Sequence, residues 1–77
     1  MLEEARRREE RLGLNRAAWQ LIERRLAQRD LDPGKVDGVP TEQTRRAIRR
    51  YQKSAGLPVT GYMDRTTLSR LVLVIKF

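Results

Sequence analysis

Between Asp37 and Arg49 the chain gathers the side chains best suited to polar chemistry. Asp37, Thr41 and Thr44 stand in and after a turn, and Arg45 and Arg49 follow one helical turn apart. Hydroxyls and a carboxylate can exchange hydrogen bonds with a polar ligand, and arginine forks match carboxylates in a bidentate way. Gly38, inside the turn, allows a tight backbone path, because glycine reaches φ > 0 without steric cost. Tyr62 adds an aromatic ring. Each polar turn residue also has a structural role open to it, since an N-cap side chain accepts from the N3 amide and an N3 hydroxyl can bond back to the loop.

The same inventory excludes most catalysis. With no histidine and no cysteine there is no imidazole base, thiol nucleophile, disulfide or zinc site of the usual ligand types. Carboxylates are present, but a glycosidase needs two of them about 5–9.5 Å apart across a cleft. A chain of 77 residues with its acids at caps and turns leaves little room for one. Asp30 and Asp32 have a calcium-like spacing without the rest of an EF-hand loop. No catalytic residue, metal or cofactor is expected.

The polar cluster is positioned by the stretch Asp32 to Thr44, where Pro33, Gly34, Gly38 and Pro40 prevent a continuous helix or central strand. This is a shaped turn between two helices, and it recurs. Val36, Gly38, Thr41, Thr44 and Ile48 are matched 23 positions later by Val59, Gly61, Asp64, Thr67 and Leu71, a periodicity that marks a repeated structural unit. Each unit supplies a valine to bury, a glycine for the tight backbone, an N-cap and an N3 threonine.

Three helices are predicted, near 16–29, 42–55 and 65–74. Asn15 caps the first, with Leu14 and Trp19 placed as a hydrophobic staple and Trp19, Ile22 and Leu26 at helical spacing. Burying Trp19 contributes several kcal/mol at about 25 cal/mol per Å², and its staple position favours the core over sugar stacking. Thr41 caps the second helix, which places Thr44, Ala47, Ile48, Tyr51 and Ala55 on one face. Arg45, Arg46, Arg49, Arg50 and Lys53 lie on the opposite arc. Gly56 stops it, Leu57 supplies the apolar contact beyond, and Pro58 prevents resumption. Asp64 caps the third helix, with Met63 and Leu68 as its staple and Leu68, Leu71, Val72 and Ile75 as its face. Residues 71–77 are apolar enough to be strand or helix and are expected to be packed.

Leu2 to Leu12 reads as an exposed helix with Glu3–Arg7 and Glu4–Arg8 pairs. Leu2, Ala5, Glu9 and Leu12 form only a thin seam, so residues 1–13 are expected to be a charged helical linker or the end of an upstream segment such as a coiled coil, disordered or frayed. The domain proper is 14–77. The net charge is +7, and residues 1 to 11 sum to zero, so the excess lies on the domain. That excess suits an anionic partner or simply solubility. No stretch approaches the ~20 apolar residues of a membrane span. The charged start shows no signal peptide, and the chain is expected to be an excerpt of a larger protein.

Leu26, Asp32-Pro33-Gly34, Val36-Asp37-Gly38, Thr44, Ala47-Ile48, Tyr51-Gln52, Gly56-Leu57-Pro58-Val59-Thr60-Gly61, Asp64 and Thr67-Leu68 together resemble the peptidoglycan-binding-like domain. The resemblance runs from about Trp19 to Leu71. It implies an all-α three-helix bundle with two repeated loop–helix units, here carrying a charged N-terminal helical extension. Members are attached to cell-wall hydrolases, transpeptidases and other envelope proteins, and the fold also occurs as the pro-segment of matrix metalloproteases. The chain departs at Val39-Pro40, where the family has Phe-Gly, and at Leu31, where an aromatic is common.

The function so implied is a non-catalytic peptidoglycan-binding module of the periplasm or cell envelope that targets or anchors a larger protein. Asp37, Gly38, Thr41 and Thr44 would meet glycan or stem-peptide groups, Arg45 and Arg49 would face stem-peptide carboxylates, and Tyr62 would offer its ring. Two alternatives remain: a protein-interaction or regulatory module that keeps the fold without wall binding, and a basic nucleic-acid-binding domain. Against the last, a helix-turn-helix unit uses a turn much shorter than the stretch before Thr41.

Overall fold

The computed structural model describes residues 2–72, which form four helices: α1 (Leu2–Arg11), α2 (Arg16–Gln28), α3 (Glu42–Ser54) and α4 (Arg65–Val72). No strand occurs among the described residues. The three expected domain helices are α2, α3 and α4, and the N-terminal segment joins them as a fourth. The part of the apolar tail beyond Val72, with its strand-or-helix expectation and Ile75, lies outside the described residues.

Local chemistry sets each boundary. The Asn15 side chain accepts from the Ala18 amide at 2.8 Å and starts α2. Thr41 and Thr44 form a reciprocal capping box at the start of α3, and Asp64 accepts from the Thr67 amide at 2.7 Å to start α4. α3 ends as its sequence foretold: Gly56 takes φ +71°, and the Leu57 amide returns to the Gln52 carbonyl at 2.8 Å. α2 ends in the same motif with a residue that gave no warning. Asp30 holds φ +60°, and the Leu31 amide reaches the Leu26 carbonyl at 3.1 Å.

The core consists of Trp19, Ile22, Leu26, Ala47, Ile48, Tyr51, Met63 and Leu71. Leu12, Leu14, Leu31, Ala55, Leu57, Leu68 and Val72 pack around it. Trp19 is a core residue, as the staple spacing required. The 23-residue repeat is physical at four of its five positions. Gly38 and Gly61 hold φ +85° and +82°, Thr41 and Asp64 cap helices, Thr44 and Thr67 are buried at N3, and Ile48 and Leu71 fill the core.

The valines are the exception. Val36 is 41% exposed and Val59 50%, so neither is buried as expected. The positive φ at each glycine turns the chain sharply, and burial falls to the helix residues that follow. A second correction concerns α1. It is a helix whose Glu9 is buried against the domain, where a wholly exposed helix was expected. The reason is polar: Glu9 sits on the thin seam facing an arginine of α3.

Candidate functional site

Both turns are held by buried polar side chains from the preceding helix. In the first, Glu23 of α2 is fully buried and accepts the Gly38 amide at 2.8 Å. Its second oxygen, Oε2, has no hydrogen-bond partner among the described residues. Burial pushes the Glu23 carboxyl pKa up, partly offset by the Gly38 bond and reinforced by the nearby Asp37 charge. In the second turn, Gln52 of α3 is also fully buried. Its Oε1 accepts the Thr60 and Gly61 amides at 2.9 and 3.0 Å, and its Nε2 donates to the Tyr62 carbonyl at 2.9 Å.

Asp37, Gly38, Thr41 and Thr44 come together at the start of α3, but their polar atoms are largely engaged within the chain. Asp37 accepts the Val39 amide at 3.0 Å through Oδ1, and its carbonyl accepts from Arg16 Nε at 2.9 Å. Gly38 is buried. The Thr41 amide donates to Thr44 Oγ1 at 2.9 Å, and that hydroxyl donates to the Pro33 carbonyl at 3.0 Å. Thr44 is fully buried, so its role is to tie the Pro33 end of the turn to the helix.

Arg49 stands apart from that group. It pairs with Glu42 at 2.8 Å, and this hydrogen bond chiefly holds the Glu42 carboxyl below its ordinary pKa. Its side chain also lies against Gly61.

Arg45 and Tyr62 belong to a third group, which reaches across to α1. Arg45 does not lie on a solvated arc: its side chain is 19% exposed and that of Glu9 10%. Arg45 Nη1 and Nη2 donate to the two oxygens of Glu9 at 2.6 and 2.9 Å. The Met63 amide donates to Glu9 Oε1 at 2.8 Å. The guanidinium also donates to the Gly61 carbonyl at 3.2 Å and lies over the Tyr62 and Trp19 rings, 4.5 and 5.2 Å from their centroids. The group is thus built around a carboxylate held by three N–H donors.

Three surface hollows flank these groups, the smallest of about 120 Å³ with Ala5, Pro58, Thr60 and Tyr62 in its lining. One of about 140 Å³ lies beside the first turn and includes Leu31, Asp32, Arg46 and Arg50 in its lining. A larger one of about 310 Å³ lies between α1 and the start of α4, with Arg8, Arg11, Asp64 and Arg65 in its lining. No group of His, Cys, Asp and Glu suited to a metal occurs among the described residues.

Sequence reasoning missed Glu9, Glu23, Gln52 and the Met63 amide. A signal existed for two of them. Glu23 shares the i, i+3, i+4, i+7 face of Trp19, Ile22 and Leu26, and Gln52 follows Ile48 by four on the buried face of α3. A polar residue at a core position implies a buried hydrogen-bond partner. For Glu9 the seam position was visible, but no local pattern pointed to Arg45.

The comparisons bear on what this scaffold is. Two proteins of Caulobacter vibrioides, from strains NA1000/CB15N and ATCC 19089/CIP 103742/CB 15, both named "Localization factor PodJL", are 45% identical to it over 51 residues. The aligned region covers 66% of this chain and only 5% of theirs. No solved structure matches. Among the described residues no helix is long and apolar enough to cross a membrane. The model of the family described as "Putative peptidoglycan binding domain" matches residues 15–71; it takes in α2, α3, both turns and α4 as far as Leu71, and the chain belongs to that family.

Proposed function

We propose that the chain is a non-catalytic peptidoglycan-binding module that targets or anchors a larger protein in the bacterial envelope. The observation that carries this reading is the family match across both turn–helix units. The net charge of +7 adds support, because a basic surface draws an anionic polymer to it. The name of the 45%-identical relatives, a localization factor, agrees with a targeting role. Arg45 and Tyr62, grouped around a carboxylate, are the recognition residues, with exposed Arg46 and Arg50 steering the polymer. A periplasmic location follows from the same reading.

The test is sedimentation of the purified chain with sacculi, beside a DNA mobility-shift assay across a salt series. Wall binding predicts co-sedimentation that survives moderate salt and is not competed by DNA. Loss of binding at moderate salt with equal competition by DNA would leave a generic polyanion surface instead.

A second reading, a protein-interaction module that keeps the fold without wall binding, is favoured by one observation. Val36 and Val39, 41% and 50% exposed, present apolar surface on the first turn. Sacculi that leave the chain in the supernatant would select this reading.

A further inference from the structure

α1 lies outside the family-matched residues 15–71, yet its one buried side chain is an acid. A helix that joins a core ordinarily does so through an apolar face. Here Leu2 is exposed, Leu12 just past the helix is half-buried against the core, and the one buried side chain of α1 is Glu9. That carboxylate takes three N–H donors, two from the Arg45 fork and one from the Met63 amide, at 2.6 to 2.9 Å. This is how a binding site treats a ligand carboxylate.

The receiving half also has supports of its own inside the matched domain. Arg45 is held by the Gly61 carbonyl and by the rings of Tyr62 and Trp19, all within the matched domain. The Met63 amide is fixed by the turn that Gln52 organises through Thr60, Gly61 and the Tyr62 carbonyl. The segment that carries Glu9 is joined to the domain through Gly13, which has φ +62° and open space around it. Pairs Arg6–Glu3 and Arg8–Glu4 lie within α1 and need nothing from the domain.

We propose that Arg45, the Met63 amide and the Tyr62 ring form a site for the terminal carboxylate of a peptidoglycan stem peptide, and that Glu9 on α1 fills it as an internal stand-in that leaves when the ligand enters. The identity of the peptide rests on the wall-binding reading; the carboxylate chemistry rests on the geometry. A tethered group of this kind acts at an effective concentration on the order of millimolar. A free peptide in micromolar amounts therefore fails to displace it, whereas a polymer that repeats the group succeeds. Displacement exposes α1 and makes attachment to the wall a signal that the segment preceding the domain can transmit.

The full chain tests this with N-acetyl-D-Ala-D-Ala, its C-terminal amide and N-acetyl-L-Ala-L-Ala, followed by the Met63 amide resonance. Glu9→Gln, with its fold checked by circular dichroism, should bind the D-acid about tenfold or more tightly than the wild type, because the competing state is removed. The amide should bind far more weakly than the acid. In the wild-type chain, millimolar D-acid should speed tryptic cleavage in α1, an effect that needs no variant to fold.

Equal affinity of Glu9→Gln and wild type, equal binding of acid and amide, or unchanged cleavage with the D-acid bound would overturn the stand-in. Co-sedimentation with sacculi alongside any of those results would leave wall binding intact and sink only this site. Equal binding of the L- and D-acids without co-sedimentation would overturn the stem peptide as ligand.

Discussion

Glu23 accepts the Gly38 amide at 2.8 Å from a fully buried position, with its second carboxylate oxygen unpartnered among the described residues. A buried acid in that state keeps its proton to higher pH than in the unfolded chain, where the ordinary value is 4.5. Between the two values the folded state holds more protons, so stability falls as pH rises. The contribution of Glu23 is complete below 4.5 and is lost as pH climbs through the raised folded value. Glu23→Gln keeps an acceptor for Gly38 and removes the titration. The stability of the wild type relative to this variant should decline as pH rises above 4.5 in urea unfolding series. A difference that stays flat with pH would refute the assignment.

Alanine at the two turn glycines should cost unequal amounts. A Cβ on Gly38 would stand 2.6 Å from the Arg16 carbonyl oxygen and against Arg16 Cγ, on backbone that cannot swing away. A Cβ on Gly61 meets Arg49 Nη1 at 2.8 Å, the far end of a flexible side chain. Both sites also carry the strain of a positive φ. Gly61→Ala should lose about 1 kcal/mol and Gly38→Ala more than about 2 kcal/mol. Equal losses in chemical denaturation would show that strain, not contact, governs both.

Gln52→Ala should be among the most destabilising substitutions in the domain. It strips the partner from the Thr60 and Gly61 amides, takes one of two donors from the Tyr62 carbonyl, and opens a cavity at a fully buried site. Each unsatisfied group costs about 1–3 kcal/mol, so a combined loss above about 3 kcal/mol is expected even without additivity. A loss under 1 kcal/mol would mean that water replaces the side chain.

Arg46 and Arg50 are exposed on α3, and Arg46 makes a long 3.9 Å pair with Glu42. Charges of that kind act over a Debye length of about 8 Å at physiological ionic strength. Replacing both with alanine should weaken sacculus binding at low salt and leave it nearly unchanged at high salt. Tyr62→Ala should weaken it at every salt concentration, because its ring lies against Arg45 in the shaped site. Thr44 is unsuited to that comparison, because it is buried and caps α3.

Much of the fold was legible because its determinants are local. Asn15, Thr41, Asp64 and Gly56 act on atoms within a few residues of themselves, and helical spacing places Trp19, Ile22, Leu26, Ile48, Tyr51 and Leu71 on buried faces. The repeat of Gly38 and Thr44 at Gly61 and Thr67 followed from counting alone, and the family resemblance was carried by the same residues.

What the tertiary structure decided is where each polar group finds its partner. Glu9 meets Arg45 across 36 positions and Met63 across 54; Glu23 meets Gly38 across 15. No local rule encodes such distances, because they depend on how the helices cross. The same packing left Val36 and Val59 in solvent and took Arg45 from the solvated arc into a carboxylate's reach. Sequence periodicity assigns a residue to a face of its own helix; only the neighbouring helix determines whether that face meets water, a core or a charge.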